Sequence, residues 1–558
     1  MDWIYKHLKL NNKRLCMLLT ALCILIAYVK LTIQAENNDD PGMMMYISGF
    51  YSGKPGILPY IMGAPYTFII SRLYMLTTAV PWYGISFIII NTLAVLTILE
   101  KILRSKCTFK RYIFFMCLFI ALFLYQLVDL QFTKVAGLAG CAAVILLYDD
   151  NIGLIKTRDI VLAAVFAFLS FNIRYQCGYV AIVIMIYMAL CNLILSKKWN
   201  KKQVLGIVVC IFTVVLSYIA NRCYVNNTGW KQYEQLNSQR SLFMDTEKIP
   251  FENNESLYEN VGWDEDIYYL ITHWNFMVDE ASQDAFETIN NANSGNTIMN
   301  RLNIKVLYSS ALEFVNSLRI ESFFFLLWFI LLAIILTLEI KDKGFRLKYV
   351  LEAIGYFCLA IGLVFYLLLY GRYNSRTIIM ILNLCLVPSI YTLIIMPERK
   401  MSNGIGKWIT HISFACIMIL AMVNGTKKLS SRSEYTYEKW DSVFAYVTDH
   451  RENIYVGDYS MTDVCDLFKT FTNDTAPTNY FFWGGWLAES PFDHEHMSYN
   501  NLEHLTLEDM LDSNHFFVGN EYYIEKLLNY YQKRHGDVEV HTYYEGEDYI
   551  VYGFRKKE

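Results

Sequence analysis

The chain reads as an α-helical multi-pass membrane protein carrying a small extracytoplasmic α/β domain at its C-terminal end. Three observations predict this. Its 558 residues are 55% hydrophobic and only 18% charged, whereas soluble domains average roughly a quarter charged. The apolar residues fall into long runs, several near the roughly 20 residues a bilayer requires. Lys and Arg gather in short connectors, while Asp and Glu crowd 231–321 and the C-terminal region, so the net charge of −4 conceals a segregation of sign.

The N-terminus is basic, with Lys6, Lys9, Lys13 and Arg14 before the apolar run 15–33. No convincing small-residue cleavage site follows, so a retained signal-anchor is expected. Basic flanks stay cytoplasmic, which puts Asp39 and Asp40 on the outer face. The run 57–80 contains Pro59, Pro65 and Arg72. As a span it would force the basic connector 101–111 outside, so it reads as an interfacial or re-entrant surface helix. Spans are then expected at 83–103, 111–128, 135–148, 159–172, 178–195 and 204–221, of which 135–148 and 159–172 are short. After the long acidic loop come 322–338, 349–370, 377–396 and 408–423. The result is about 11 spans with nearly every basic cluster inside. This divides the chain into a membrane domain, 1–425, with outer loops 34–82 and 223–320, and an outer domain, 426–558.

In the outer domain the pattern alternates. A helical stretch at 435–450 precedes a strand at 454–456, a short helix near 507–511 and a strand at 516–518. A helix at 522–532 and a hairpin around EGED complete it. Of 13 cysteines, only Cys465 falls in this region, which excludes an internal disulfide framework there.

The chain reads as organised around one stretch, ENNDDPGMMMYISGFYSG at 36–53. Its adjacent Asp39 and Asp40 stand at a predicted membrane surface, and the Pro-Gly after them breaks a continuing helix, so that a new one begins at 43–47. Such acids are either a solvated loop or a catalytic or metal-binding pair facing a lipid-borne substrate. No phosphate-binding glycine loop and no G-x-S-x-G is present. An enzyme acting on the outer face has no ATP there, so its donor must arrive activated, most simply as a lipid phosphate. A carboxylate then suffices to deprotonate the acceptor hydroxyl.

Five arginines, Arg174, Arg222, Arg319, Arg372 and Arg376, map to outer helix ends where the charge rule disfavours them. Arg372 and Arg376 are four apart and on a helix would share a face, able to grip one phosphate. The bland alternative is snorkelling to headgroups or pairing with loop acids. Asp129 could join Asp39 or Asp40 in a carboxylate set for Mg²⁺ or Mn²⁺, or be a simple helix-end acid. Asp493-His494-Glu495-His496 lacks the i, i+4 histidine spacing of a metal helix and reads as a solvated turn. The aromatics of YFFWGGW at 480–486 could stack on a sugar ring or cover a glycine turn.

The first outer loop resembles that of GT-C-type glycosyltransferases, the multi-pass superfamily that uses polyprenyl-phosphate sugars. An NDD-x-x-M…SG-x-Y-x-G pattern is matched by Asn38-Asp39-Asp40, Met43 and the run Ser48 to Gly53. Trp82-Tyr83-Gly84, Gln131-Phe132-Thr133, and Gly371-Arg372 with Arg376 match further. The resemblance implies inverting sugar transfer from a polyprenyl-phosphate donor to an extracytoplasmic glycan, lipid or protein acceptor, in the cytoplasmic membrane. It places the base at Asp39 or Asp40, while the donor phosphate falls to Arg372, Arg376 and Arg174. The segment KPGILPY lacks the histidine many relatives carry there. Two other functions compete: an O-antigen-type polymerase, and a lipid-linked-sugar or polysaccharide transporter, against which the scarcity of mid-span polar residues counts. No feature points to nucleic acid.

Overall fold

The computed structural model describes residues 12–104, 116, 119, 123–148, 155–196, 199–246, 248–293, 307–314, 326, 328, 330, 343–369, 375–395, 405–430, 438–457, 466–519, 523–546 and 549–557. At its centre lies a short helix rather than a long one. Phe132–Leu146 has 15 residues, every one buried, and packs against Trp82–Arg104, Thr157–Ile173, Tyr175–Ser196 and Ser375–Ile395. Its small residues explain how four neighbours approach so closely. A Cβ on Gly137 would lie 2.5 Å from Met380 Cγ. This helix is sheathed in protein instead of lipid, so bilayer thickness does not dictate its length.

Among the described residues, four helices are long and apolar enough to cross a membrane: Trp82–Arg104, Tyr175–Ile194, Lys201–Asn226 and Val350–Leu369. Leu205, Val208, Phe212, Val215 and Ile219 stand exposed along the third of these, as lipid-facing residues must. The protein is therefore integral to a membrane. Helices also occupy the expected runs at Asn12–Lys30, Thr157–Ile173, Ser375–Ile395 and Ile405–Ser430. Most of the expected spans 111–128 and 322–338 lie outside the described residues. Ala64–Leu76, within the expected surface segment, has 13 residues, too few to cross a bilayer. It is pinned by Gly63 N–H to Asn172 O (2.6 Å) and Ala64 N–H to Asn221 Oδ1 (2.7 Å).

The far end of the bundle is held by charge. Lys101, fully buried, donates to Leu146 O at 2.9 Å and so caps the central helix. Its neighbour Arg104 forks onto both oxygens of Asp159 at 2.9 and 2.8 Å. Removing one partner of such a buried pair strands the other charge, which is what makes it costly to break.

Outside the bundle, five strands form a mixed sheet. Their ranges are β1 Ile454–Gly457, β2 Tyr480–Phe482, β3 His515–Gly519, β4 Val538–Glu545 and β5 Ile550–Lys556. The spatial order is β2-β1-β3-β5-β4; β1 runs parallel to both β2 and β3, and the β4–β5 hairpin is antiparallel. The segment DHEHM is not a turn. It lies on a helix, Pro491–Tyr499, started by Ser490 accepting from Asp493 N–H at 3.3 Å, with Pro491 in the first turn. Asp493 and His496 face inward and His494 and Glu495 outward.

The long acidic loop folds as well, into helices Trp230–Asp245, Glu255–Glu259, Glu265–Thr272 and Gln283–Ala292. Phe243, Trp263, Phe276 and Phe286 from this loop share one apolar core with Val456, Phe517 and Phe554 of the sheet. Phe276 N–H donates to Trp483 O at 2.8 Å, extending the sheet beyond its β2 edge. The loop and the C-terminal sheet thus form one outer body.

The charge rule predicts that this body faces away from the cytoplasm, and impermeant thiol labelling of intact cells checks it. Ser256→Cys and Ser513→Cys, both at exposed positions, are expected to react above the wild-type background. Labelling that needs lysis would place the outer body on the cytoplasmic side.

Candidate active site

The carboxylate pair sits at the start of a helix, Asp39–Ser48, whose residues from Asp40 onward are all buried. The helix begins at Asp39 and not after the Pro-Gly, because proline within a first turn lacks only an N–H that has no helical partner there. Acidic residues at its N-terminus also suit the helix dipole. Gly49 ends it with φ 79°, donating its N–H to Tyr46 O. A Cβ there would lie 2.5 Å from the Lys54 carbonyl carbon, so this left-handed turn demands glycine.

The helix bridges two bodies. At its C-terminal end Tyr46 stacks on Phe492 (5.5 Å between centroids), and Phe50 meets Phe444 and Phe471 edge-on at 5.4 and 5.0 Å. Tyr51 Oη accepts from Phe482 N–H of β2 at 3.0 Å. Its N-terminal end meets the membrane bundle. Adjacent helical residues point about 100° apart, and here that angle separates the two acids.

Asp40 is fully buried. Tyr83 O–H donates to its Oδ1 at 2.8 Å, and Phe132 N–H lies 3.2 Å from both oxygens. Burial pushes its carboxyl up to about 8; the Asp39 charge adds to the rise, while the bonds from Tyr83 and Phe132 and the Arg376 charge oppose it. Asp39 remains 19% exposed and accepts from Arg376 Nη1 at 2.8 Å and Asn37 Nδ2 at 2.5 Å. Arg376, 26% exposed, stands at the start of Ser375–Ile395. Base candidate and phosphate-binding candidate are therefore in contact.

A second ion pair lies beside the first. Glu36, three residues before Asp39, bonds Lys134 Nζ at 2.7 Å and accepts from Tyr125 O–H at 2.5 Å. Lys134 is 1% exposed, and its Nζ also contacts Tyr125 Oη and sits 3.9 Å from that ring. Two short strands fix this corner, Gln34–Ala35 paired in parallel with Asp129–Leu130. Sequence reasoning missed Lys134 and Glu36. The signal was there, since Lys134 opens an apolar run at an outer end just as the arginines do.

The remaining candidates divide. The Arg174 guanidinium lies 5.2 Å from the ring of Phe132, the residue whose N–H meets Asp40, and it has no carboxylate partner among the described residues. Arg222 is engaged elsewhere, bound by Nη1 to both oxygens of Glu234 at 2.7 Å. Arg372 and Arg319 lie outside the described residues. Asp129 is buried in its strand. Among the described residues there is no group of three or more His, Cys, Asp or Glu side chains that could hold a metal. Nor does DHEHM form one: His496 Nε2 bonds Thr478 O at 2.6 Å, and burial holds its imidazole down at about 3.

No family model and no curated protein matches the sequence. Among solved structures, the chain is similar to ArnT from Cupriavidus metallidurans. The crystal structure in the apo state matches at 10% identity and a TM-score of 0.39, and that bound to undecaprenyl phosphate at 10% and 0.38. Both matches cover 96% of this chain and 97% of the other.

The raised Asp40 carboxyl carries a stability prediction. A carboxyl held at about 8 when folded and near 3.9 when unfolded binds more protons in the folded state between those values. Its contribution is complete below about pH 4 and is lost as pH rises through about 8. Asp40→Asn mimics the protonated form, so the thermal midpoint of wild type should fall relative to the variant across that window. Thermal unfolding followed by tryptophan fluorescence in detergent measures this; parallel curves would mean that Asp40 is ionised throughout.

Proposed function

We propose that the chain is a GT-C-type glycosyltransferase that moves a sugar from a polyprenyl-phosphate donor to an extracytoplasmic acceptor. Asp39 is the base, and Arg376 with Arg174 meets the donor phosphate. The observation that carries this is the contact of a part-exposed carboxylate with a part-exposed guanidinium at a membrane-facing helix terminus. Asp40 is unsuited to the base role, because a fully buried carboxyl between Tyr83 and Phe132 N–H reaches no acceptor. Its role is to seat the helix so that Asp39 faces outward.

In the reaction the acceptor hydroxyl gives its proton to Asp39, and its oxygen bonds the anomeric carbon as the bond from that carbon to the phosphate oxygen breaks. The electron pair leaves on the phosphate, the anomeric configuration inverts, and polyprenyl phosphate remains. The phosphate gains charge as it departs, and a guanidinium can meet two of its oxygens at once. Without donor, Asp39 and Arg376 neutralise each other. Donor phosphate competes for Arg376 and so frees Asp39 for the acceptor, which couples base availability to donor occupancy.

The test pairs two measurements. Mass spectrometry should show cell-surface glycans losing a sugar when the protein is absent. Purified protein in nanodiscs, given synthetic polyprenyl-phosphate sugars and an envelope extract as acceptor, should release polyprenyl phosphate. Unchanged glycans together with no release from any donor would overturn the reading.

A further inference from the structure

The outer body contains a cavity of about 390 Å³ between helix Trp230–Asp245 and the segments 276–283 and 489–506, within the ~300–1,000 Å³ usual for small-molecule sites. Its floor is buried and largely apolar, with Tyr233, Phe276 and Leu505. Its rim is polar and exposed, with Gln232, Asp279 and Glu489.

The walls are rigidly built. Arg240, 2% exposed, donates to Trp486 O at 2.9 Å and Ala488 O at 3.1 Å, and its guanidinium lies 4.7 Å from the Phe276 ring. One buried cation thereby ties floor to wall. Glu489 has a φ of 63°, rare for a residue with a side chain, and Asp493 Oδ2 secures it by accepting its N–H at 3.0 Å. Asp279 and Gln232 have no hydrogen-bond or ion-pair partner among the described residues.

An apolar floor under carboxylate and amide acceptors is the chemistry that receives a sugar, its C–H face below and its hydroxyls at the rim. Two carboxylates, with His494 the one basic side chain in the lining, oppose a phosphate or a uronic acid. We propose that this cavity holds a neutral or amino-bearing saccharide, the acceptor strand of the transfer, an assignment that rests on the glycosyltransferase reading. Ring contacts lead from it towards the carboxylates: Tyr233 to Trp230 (5.3 Å), Trp230 to Phe492 (5.3 Å) and Phe492 to Tyr46 (5.5 Å) on the helix that Asp39 begins. Acceptor cavity and base are thus separate places on one frame.

Binding is measured without turnover, on the full chain in nanodiscs, with maltotriose, tri-N-acetylchitotriose, chitosan trimer and trigalacturonate as probes. At least one of the first three should bind saturably, and trigalacturonate should bind worst. Asp279→Ala and Glu489→Gly should each weaken that binding about tenfold or more, the cost of a lost bond to a charged acceptor. Glycine also relieves the left-handed backbone, so loss of binding in Glu489→Gly cannot be ascribed to misfolding. Asp39→Asn should bind as wild type while failing to transfer. No saturable binding up to about 20 mM, unchanged binding in both rim variants, or preference for trigalacturonate would overturn the cavity assignment. If transfer is absent but the rim variants lose binding, the saccharide site stands and the transferase reading falls.

Discussion

Asp39→Asn should leave a folded, membrane-inserted protein whose transfer rate is down about 10²–10⁴-fold, the usual cost of losing one positioned base. The amide keeps the size and polarity of the side chain and still accepts a hydrogen bond, but it cannot take a proton. That loss corresponds to roughly 3–5 kcal/mol of transition-state stabilisation. Folding should hardly register the change, since an ion pair 19% and 26% exposed contributes about 0–1 kcal/mol. Asp40→Asn should do the reverse, altering the pH dependence of stability while sparing much of the rate. Rate and thermal midpoint measured for both variants separate the roles; a fully active Asp39→Asn protein would remove Asp39 as the base.

Only tertiary packing could make that distinction. The sequence places two equivalent acids side by side, and what separates them is Tyr83 and Phe132, which arrive from distant segments to cover one. Arg376 was readable as a cation on the wrong side of the membrane, but its partner lies 337 residues away, beyond any local pattern. The ten-residue helix at Asp39–Ser48 starts earlier than its Pro-Gly suggests, because a first turn forgives proline. The central helix Phe132–Leu146 reads as a defective span by length, whereas its glycines and alanines signal a helix wrapped by others. In the outer body, β1, β3 and the terminal hairpin carry runs of β-branched and aromatic residues and are visible as strands. The three-residue β2 is too short to betray itself. Helix Gln283–Ala292 had a readable start, Ser282 accepting from Ala285 N–H at 3.3 Å, within a loop whose acidity drew attention away from its periodicity.

Arg376 should show a double dependence, because it touches the base and is proposed to meet the leaving phosphate. Arg376→Ala is expected to lower kcat by about 10²–10³-fold, equivalent to the 2.7–4 kcal/mol typical of removing a preorganised donor. Donor KM should rise as well, since the phosphate is already present in the ground state. Arg376→Lys keeps the charge and loses the planar fork, so it should retain part of the activity, and added guanidinium should partly restore Arg376→Ala. The thermal midpoint should stay near wild type, for the exposure that makes the pair useful to a substrate also makes it weak as a staple. The decisive comparison is the double variant. If Arg376 and Asp39 act as one unit, Asp39→Asn with Arg376→Ala should be scarcely slower than the worse single variant, because neither group works once the other is gone. Strictly additive losses would mean that the guanidinium serves the phosphate without positioning Asp39. Donor KM and kcat both at wild-type values in Arg376→Ala would reduce it to a structural partner, and the phosphate would then fall to Arg174, whose guanidinium already lies over Phe132 beside the same site.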